Sequence, residues 1–135
     1  MKILIVDDDL TNRLLLKRFL KDQGECHVAA DGNEALESFT SAHAFGNPYD
    51  LVCLDILMPG LDGQETLKRF RAEDKTRGIL PENRTRVVMT TALRDMKEVM
   101  EAYGSLCDGY LVKPIERAKL LDLLNQLGLT AVGRV

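Results

Sequence analysis

The feature that most constrains the fold is an alternation of short apolar runs with segments of helical periodicity. Each run is followed by a segment whose apolar residues recur every three or four positions, which places them on one face of a helix. The runs predict strands at Lys2–Val6, His27–Ala29, Leu51–Leu54, Arg86–Thr90 and Gly109–Val112. Strands that alternate with helices in this way predict an α/β domain.

The strand composition predicts a parallel sheet. Several runs are apolar without alternation, which is typical of strands covered by helices on both faces. We therefore predict a doubly wound fold of five parallel strands and five helices. Periodicity does not give the strand order, so we adopt the flavodoxin-like order 2-1-3-4-5 because it is the common arrangement of five such units. The first helix is expected over about Thr11–Asp22. The polar segment Arg71–Arg86, before the fourth strand, is interpreted as a solvated loop or a partner contact.

Length and charge limit the classes of function. The chain has 135 residues, 18 of them basic and 21 acidic, which gives a net charge of -3. Without a dense run of Lys and Arg, direct nucleic-acid binding is not expected. With neither a long apolar stretch nor a signal-peptide pattern, we expect a cytoplasmic protein that does not enter membranes. One domain is expected over residues 1–128, followed by a short tail over 129–135 without an output domain.

Charged residues follow three of the predicted strands at the point where each strand ends. Asp7 and Asp8 follow the first strand, Asp55 the third and Lys113 the fifth. Ligands of open parallel sheets bind outside the carboxyl ends of the strands, so these side chains are expected to converge. Clustered carboxylates repel one another unless a cation compensates, and oxygen ligands without His or Cys favour Mg²⁺. The sequence therefore predicts a magnesium site at this edge.

Asp55 is the best candidate for a nucleophile. It ends the central strand directly before a loop rich in turn-forming residues, 58–63, which would leave its carboxylate exposed at the site. A carboxylate in such a place can attack phosphorus to form an aspartyl phosphate, while a metal and an ammonium group absorb charge on the equatorial oxygens. The pattern favours phosphoryl transfer to Asp55.

Four segments resemble the receiver domains of response regulators, including chemotaxis receivers, in order and spacing. They are Ile3–Asp8, Leu54–Gly63, Met89–Ala92 and Gly109–Pro114. The resemblance covers nearly the whole chain. It implies a phosphorylation switch that accepts a phosphoryl group from a histidine kinase or a phosphotransfer protein, and that catalyses only its own phosphorylation and dephosphorylation.

The resemblance also implies roles for the matched residues at the metal. Asp55 would accept the phosphoryl group and, together with Asp8, bind Mg²⁺ directly. Asp7 would contribute through the water shell of the metal, and Leu57 would offer its backbone carbonyl. The magnesium ion would thus be held by ligands from two separate parts of the chain.

Further implied roles concern the response to phosphorylation. Lys113 would stabilise the phosphoryl oxygens, and the Lys113–Pro114 peptide bond is expected to be cis. Thr91 would move to hydrogen-bond the phosphoryl group, and Tyr110 would turn inward to fill the space that it vacates. A separate effector protein would then bind the face made by the fourth helix, fifth strand and fifth helix. The receiver is expected to be a monomer or a phosphorylation-dependent dimer.

Two positions depart from relatives with polar groups near the phosphoryl acceptor. Leu57 lies two residues after the acceptor and Leu93 two residues after Thr91, and neither side chain can position a hydrolytic water. We therefore hypothesise that self-dephosphorylation is slow.

Three alternative functions remain to be compared with this one. The segment Ile3–Thr11 also resembles the first motif of haloacid-dehalogenase-type phosphatases, with Asp7 as nucleophile and Asp9 as acid and base, but no late acidic pair follows Lys113. A flavodoxin-like electron carrier would place a cofactor phosphate against repelling carboxylates. The third alternative, a pseudo-receiver that acts only as a scaffold, is disfavoured because every residue required for phosphorylation is present.

Overall fold

The computed structural model describes residues 1–58 and 60–129. Within them lies a five-stranded parallel sheet in the order β2-β1-β3-β4-β5. The strands are β1 (Lys2–Val6), β2 (Glu25–Ala29), β3 (Leu51–Asp55), β4 (Arg86–Thr91) and β5 (Gly109–Val112). The helices are α1 (Leu10–Leu20), α2 (Gly32–Ala44), α3 (Gly63–Thr76), α4 (Leu93–Tyr103) and α5 (Arg117–Gln126). The predicted fold and strand order are confirmed.

Several boundaries differ from the predicted ones. β2 begins at Glu25, because its backbone pairs with β1 from Lys2 onward. β3 extends by one residue to Asp55, which pairs with Thr90 of β4. The first helix was predicted to begin about one residue too late and to end about two residues too late. It begins at Leu10, directly after Asp9, whose side chain caps the helix by accepting a hydrogen bond from Thr11.

Apolar side chains fill both faces of the sheet. Helices α1 and α5 cover one face, where Ile3 and Ile5 of β1 are buried. Helices α2, α3 and α4 cover the other face, where Phe39 and Phe70 stack with their ring centroids 4.3 Å apart. Because the two cores hold the strands from both sides, the carboxyl ends of β1, β3 and β5 occupy fixed positions along one edge. No helix in the described ranges has the length and apolarity needed to cross a bilayer.

The interpretation of Arg71–Arg86 as a solvated loop or partner contact is wrong for its first part. Residues 71–76 continue α3, and the side chain of Arg71 is only 8% exposed. Its guanidinium pairs with Asp74 and Asp108 at 3.0 Å each. It also donates to the backbone carbonyls of Leu106 and Thr85. Since charged groups rather than apolar ones are buried here, hydrophobic periodicity did not reveal the end of the helix.

The buried pairs around Arg71 form a network at the amino ends of the strands, opposite the predicted site. Asp108, just before β5, accepts hydrogen bonds from the backbone N–H of Val87 and from Arg71. Arg84 lies 3.3 Å from the second oxygen of the same carboxylate. The network therefore fastens α3 to the beginnings of β4 and β5.

We predict that Arg71→Met destabilises the protein by about 3–5 kcal/mol, because it leaves the buried Asp74 carboxylate without its cation and removes one of the partners of Asp108. Urea unfolding followed by circular dichroism measures this change. Arg69→Met is the matched control, since Arg69 is 51% exposed in its pair with Glu65 and the substitution should cost about 0.5 kcal/mol or less. Equal free energies of unfolding for the two variants would contradict the structural role of Arg71.

His43 lies beside this network with a side chain that is 7% exposed. Its Nε2 is 3.7 Å from Asp74 Oδ1, and neither atom has a hydrogen-bond partner among the described residues. Burial lowers the pKa of His43 below its ordinary value of 6.5, although the charge of Asp74 acts in the opposite direction. The native protein therefore resists protonation of this imidazole.

We predict that protein stability falls as the pH drops below about 6.5, partly because of His43. The native pKa is lowered, so in this range the unfolded chain binds more protons at His43 than the native chain does. The free energy of unfolding, measured in urea from pH 7.5 to 5, should fall more steeply for wild type than for His43→Leu. Parallel curves for the two proteins would rule out this contribution.

Candidate functional site

The charged residues predicted to converge lie together at the carboxyl edge of the sheet. Asp7 directly follows β1, Asp55 ends β3 and Lys113 directly follows β5. A cleft of about 230 Å³ opens between them, and its lining includes Asp7, Asp8, Asp55, Leu57, Thr91 and Lys113. The structure therefore brings six of the seven predicted site residues into one cleft.

Three carboxylates in this cleft form an acidic cluster. Asp7, Asp8 and Asp55 each offer an oxygen, and these oxygens lie within 4.8 Å of one another. Asp7 and Asp55 are buried, whereas Asp8 is exposed at the mouth of the cleft. A set of oxygen donors that is open on one side suits a hard divalent cation such as Mg²⁺, which keeps several of its waters. The residues present therefore fit this ion.

Lys113 supplies the positive charge that faces the buried carboxylates. Its Nζ lies 2.9 Å from Asp55 Oδ1 and 3.4 Å from Asp7 Oδ2. Burial acts to lower the pKa of Lys113, but the hydrogen bonds and charges of Asp55 and Asp7 outweigh it and raise that pKa. The side chain is therefore held as an ammonium ion.

Asp55 has a perturbed titration in this setting. Its pKa is raised to about 6 overall. Burial is the largest cause and the charge of Asp7 also raises the pKa, while the hydrogen bond from Lys113 lowers it. The carboxylate is thus only partly compensated by Lys113. A perturbed carboxyl group in a cleft, next to a directed cation, is typical of a functional site.

Local hydrogen bonds shape the turn that carries Asp7 and Asp8. Asp7 Oδ1 accepts a hydrogen bond from the backbone N–H of Asp9 at 2.9 Å. Arg13, one turn into α1, donates from Nη1 to the carbonyl oxygen of Asp7 at 2.7 Å. Arg13 was missed by the sequence analysis because the helical pattern of α1 treats it as an ordinary polar position.

The connection from β3 to α3 brings the helix close to the strand that ends in Asp55. Gly63, the first residue of α3, donates its N–H to the carbonyl of Ile56 at 3.0 Å. A Cβ at Gly63 would clash with the backbone carbonyl of Asp55, so glycine is required for this close approach. Asp62 caps the helix by accepting a hydrogen bond from Glu65. The start of α3 therefore packs directly against the backbone of Asp55.

Thr91 and Tyr110, the two predicted switch residues, lie in different surroundings. Thr91 is buried at the wall of the cleft, and its hydroxyl donates to the carbonyl oxygen of Ala92 at 3.1 Å. Tyr110 is half-buried against the core under α2, α3 and α4, and it is not among the residues that line the cleft. The proposed movement of these side chains stays a prediction. The Lys113–Pro114 bond is cis, as expected.

Comparison with known proteins agrees with this geometry. The protein-family model described as the response regulator receiver domain matches residues 3–125 of this chain. Chemotaxis protein CheY-3 of Vibrio cholerae is 36% identical over 94% of this chain and 91% of its own length. The regulatory protein VanRB of Enterococcus faecalis is 35% identical, but the chain spans only about half (51%) of that relative.

Solved structures with the same fold include complexes with metal. The chain matches the CheX-CheY-BeF3-Mg+2 complex from Borrelia burgdorferi with a TM-score of 0.77, at 29% identity over 96% of this chain and 90% of that one. It matches the response regulator TrrA from Thermotoga maritima in complex with Mg(2+)-BeF with a TM-score of 0.73, at 32% identity over 93% and 97%. The family model, the relatives and the shared fold establish that the chain belongs to the response regulator receiver domain family.

Proposed function

We propose that this receiver accepts a phosphoryl group on Asp55 in a Mg²⁺-dependent reaction and signals through phosphorylation-dependent binding of a partner. The observation that carries the proposal is the 2.9 Å contact between Lys113 and Asp55 inside a cleft with two further carboxylates. A buried nucleophile, a cation and metal-binding oxygens are the groups that phosphoryl transfer requires.

The chemical step needs little from the protein beyond position and charge. An oxygen of Asp55 attacks phosphorus, the bond from phosphorus to the donor breaks, and the leaving group keeps the bonding electrons. With a pKa of about 6, Asp55 is mostly ionised at neutral pH and can act as the nucleophile. The Lys113 ammonium meets the negative charge on the phosphoryl oxygens.

We assign the metal site to the same cleft. Asp8 and Asp55 would bind Mg²⁺ directly, with Asp7 acting through a bound water and Leu57 through its backbone carbonyl. The ion would supply positive charge to the phosphoryl group during transfer. The oxygen-only donor set supports this assignment, as do the metal complexes named for two structural neighbours.

The response would be a shift between two conformations. Phosphorylation gives Thr91 and Lys113 new partners, and a ligand that binds one conformation better shifts the population toward it. Tyr110 would follow Thr91 inward. Tyr110 lies on β5 beside the core under α4, which supports readout through the face made by α4, β5 and α5.

The partners follow from the same reasoning. The phosphoryl donor would be a histidine kinase or a phosphotransfer protein in the cytoplasm, and the readout would be an effector or a second receiver. The relatives named as chemotaxis and regulatory proteins support a role in signalling. The receiver would catalyse only its own phosphorylation and dephosphorylation, without turning over other substrates.

Acetyl phosphate with Mg²⁺ should add one phosphoryl mass to the wild type and none to Asp55→Asn, because the amide cannot act as the nucleophile. Intact-protein mass spectrometry measures the addition. Asp31→Asn is the matched control, since it makes the same chemical change at a residue that caps α2 outside the cleft. Phosphorylation of Asp55→Asn, or none in the wild type, would refute the proposed function.

Leu93→Glu should shorten the lifetime of the phosphorylated protein by roughly 100-fold, since a carboxylate two residues past Thr91 can position a hydrolytic water. The decay of the phosphorylated mass after removal of acetyl phosphate measures this lifetime. Leu80→Glu introduces the same charge on the exposed connection between α3 and β4 and should leave the lifetime unchanged. Faster decay in wild type than in Leu93→Glu would contradict the hypothesis.

A further inference from the structure

A second, smaller cavity lies next to the acidic cleft, and Lys113 lines both. It measures about 50 Å³ and shares Asp7, Asn12 and Lys113 with the cleft. Its remaining polar lining comes from Thr90, and the apolar lining includes Leu15 of α1. The cavity therefore lies between α1 and the turn that follows β5, directly beside the lysine that contacts Asp55.

Thr90 contributes a hydroxyl that the protein does not satisfy. The residue is 1% exposed, and its Oγ1 has no hydrogen-bond partner in the described part of the chain. Thr90 pairs in register with Asp55 of β3, so it lies directly beside the acceptor residue in the sheet. Most buried hydroxyls in folded proteins have a partner, either a protein group or an ordered water. Thr90 is among the residues that line the cavity, so a molecule bound there would lie close to this unpaired hydroxyl.

Lys113 has a donor to offer to the same ligand. An ammonium group carries three N–H donors, and two of them are directed at Asp55 and Asp7. Within the described ranges, no protein acceptor is found for the third. Lys113 also lines the cavity, so a small hydrogen-bonding molecule there would lie close to its side chain.

We propose that the cavity binds an ordered water molecule that links Lys113 Nζ to Thr90 Oγ1, and that Thr90 is thereby a positioning residue for phosphoryl transfer. A volume of about 50 Å³ exceeds the roughly 10–15 Å³ that one water requires. Lys113, Thr90, Asn12 and Asp7 offer the two to four polar partners that a buried water needs. The positioning role rests on the proposed phosphoryl transfer to Asp55.

The physical consequence is that the flexible Lys113 side chain gains a third hydrogen bond, in addition to those with Asp55 and Asp7. Lysine carries its charge on a flexible four-carbon stem, so two carboxylate contacts do not hold it in a single position. A water bound in the cavity adds a third contact and holds the ammonium beside Asp55, where phosphoryl oxygens arrive. Precise placement of a charged group that acts in the transition state raises the rate of the step more than it changes the affinity for the donor.

The test uses three variants of buried threonines. Thr90→Val has nearly the same shape as wild type but no hydroxyl, whereas Thr90→Ser keeps the hydroxyl. Thr85→Val is the matched control, because Thr85 directly precedes β4, at the end of the sheet opposite the cleft. Thr85 is also buried, and its hydroxyl donates to the carbonyl of Tyr49 at 2.7 Å, so its loss should lower stability without reaching the cleft.

The first readout is the kinetics of phosphorylation by acetyl phosphate. Thr90→Val should lower the rate constant at saturating donor by about tenfold, the size expected for one hydrogen bond to a charged group. The half-saturating donor concentration and the Mg²⁺ affinity measured by calorimetry should stay unchanged. Thr90→Ser and Thr85→Val should both phosphorylate at nearly the wild-type rate.

The second readout does not depend on phosphorylation. In ¹⁵N-labelled protein, the ammonium resonance of Lys113 should report faster hydrogen exchange with solvent in Thr90→Val than in wild type or Thr90→Ser. A wild-type exchange rate in Thr90→Val refutes the water bridge. A higher unfolding free energy for Thr90→Val also refutes it, since removing a truly unpaired hydroxyl is stabilising.

The two proposals fail in different ways. A wild type that accepts no phosphoryl group refutes the proposed function and, with it, the positioning role. A wild type that is phosphorylated no faster than Thr90→Val refutes only the role of Thr90.

Discussion

The ion pair between Lys113 and Asp55 is the interaction on which the site depends. Asp7 and Asp55 are buried carboxylates, and with Asp8 their oxygens lie within 4.8 Å of one another. Burial and the charge of Asp7 favour the neutral form of Asp55, and the hydrogen bond from Lys113 opposes them. Lys113 reaches Asp55 and Asp7 from the end of β5, so the sheet must place β5 correctly before the two buried carboxylates have a cation beside them. The fold is thus a requirement of the chemistry.

The opposite edge of the sheet also buries charge, with a different result. Arg71 there satisfies Asp74 and Asp108 at 3.0 Å each, with further hydrogen bonds to backbone carbonyls. Those groups are enclosed and largely paired, so they hold α3 against the starts of β4 and β5. At the cleft the compensation is partial, since Asp55 keeps a pKa raised to about 6. One edge therefore fixes the structure, and the other holds a carboxylate that is only partly compensated.

Much of the architecture could be predicted from the sequence because hydrophobic burial leaves a periodic record. The five strands and the convergence of Asp7, Asp55 and Lys113 followed from apolar runs and from the rule that parallel strands end at one edge. The last turns of α3 were missed because Arg71 and Asp74 are buried as an ion pair, so polar letters concealed an interior position. The sequence showed Thr90 only as the last residue of a predicted strand. The cavity beside it is lined by α1 and by the turn after β5, which are both distant from Thr90 in sequence.

The sequence by itself determined which chemical groups stand at the strand ends, since strand length and order are set by local apolar patterns and general rules of connection. It therefore determined the parallel sheet, the acidic cluster and the lysine. Only the tertiary structure decided the distances between those groups, the depth of their burial and the small cavity that Lys113 lines. These quantities depend on how side chains from separate segments pack, and packing is a property of the assembled core that no single segment encodes.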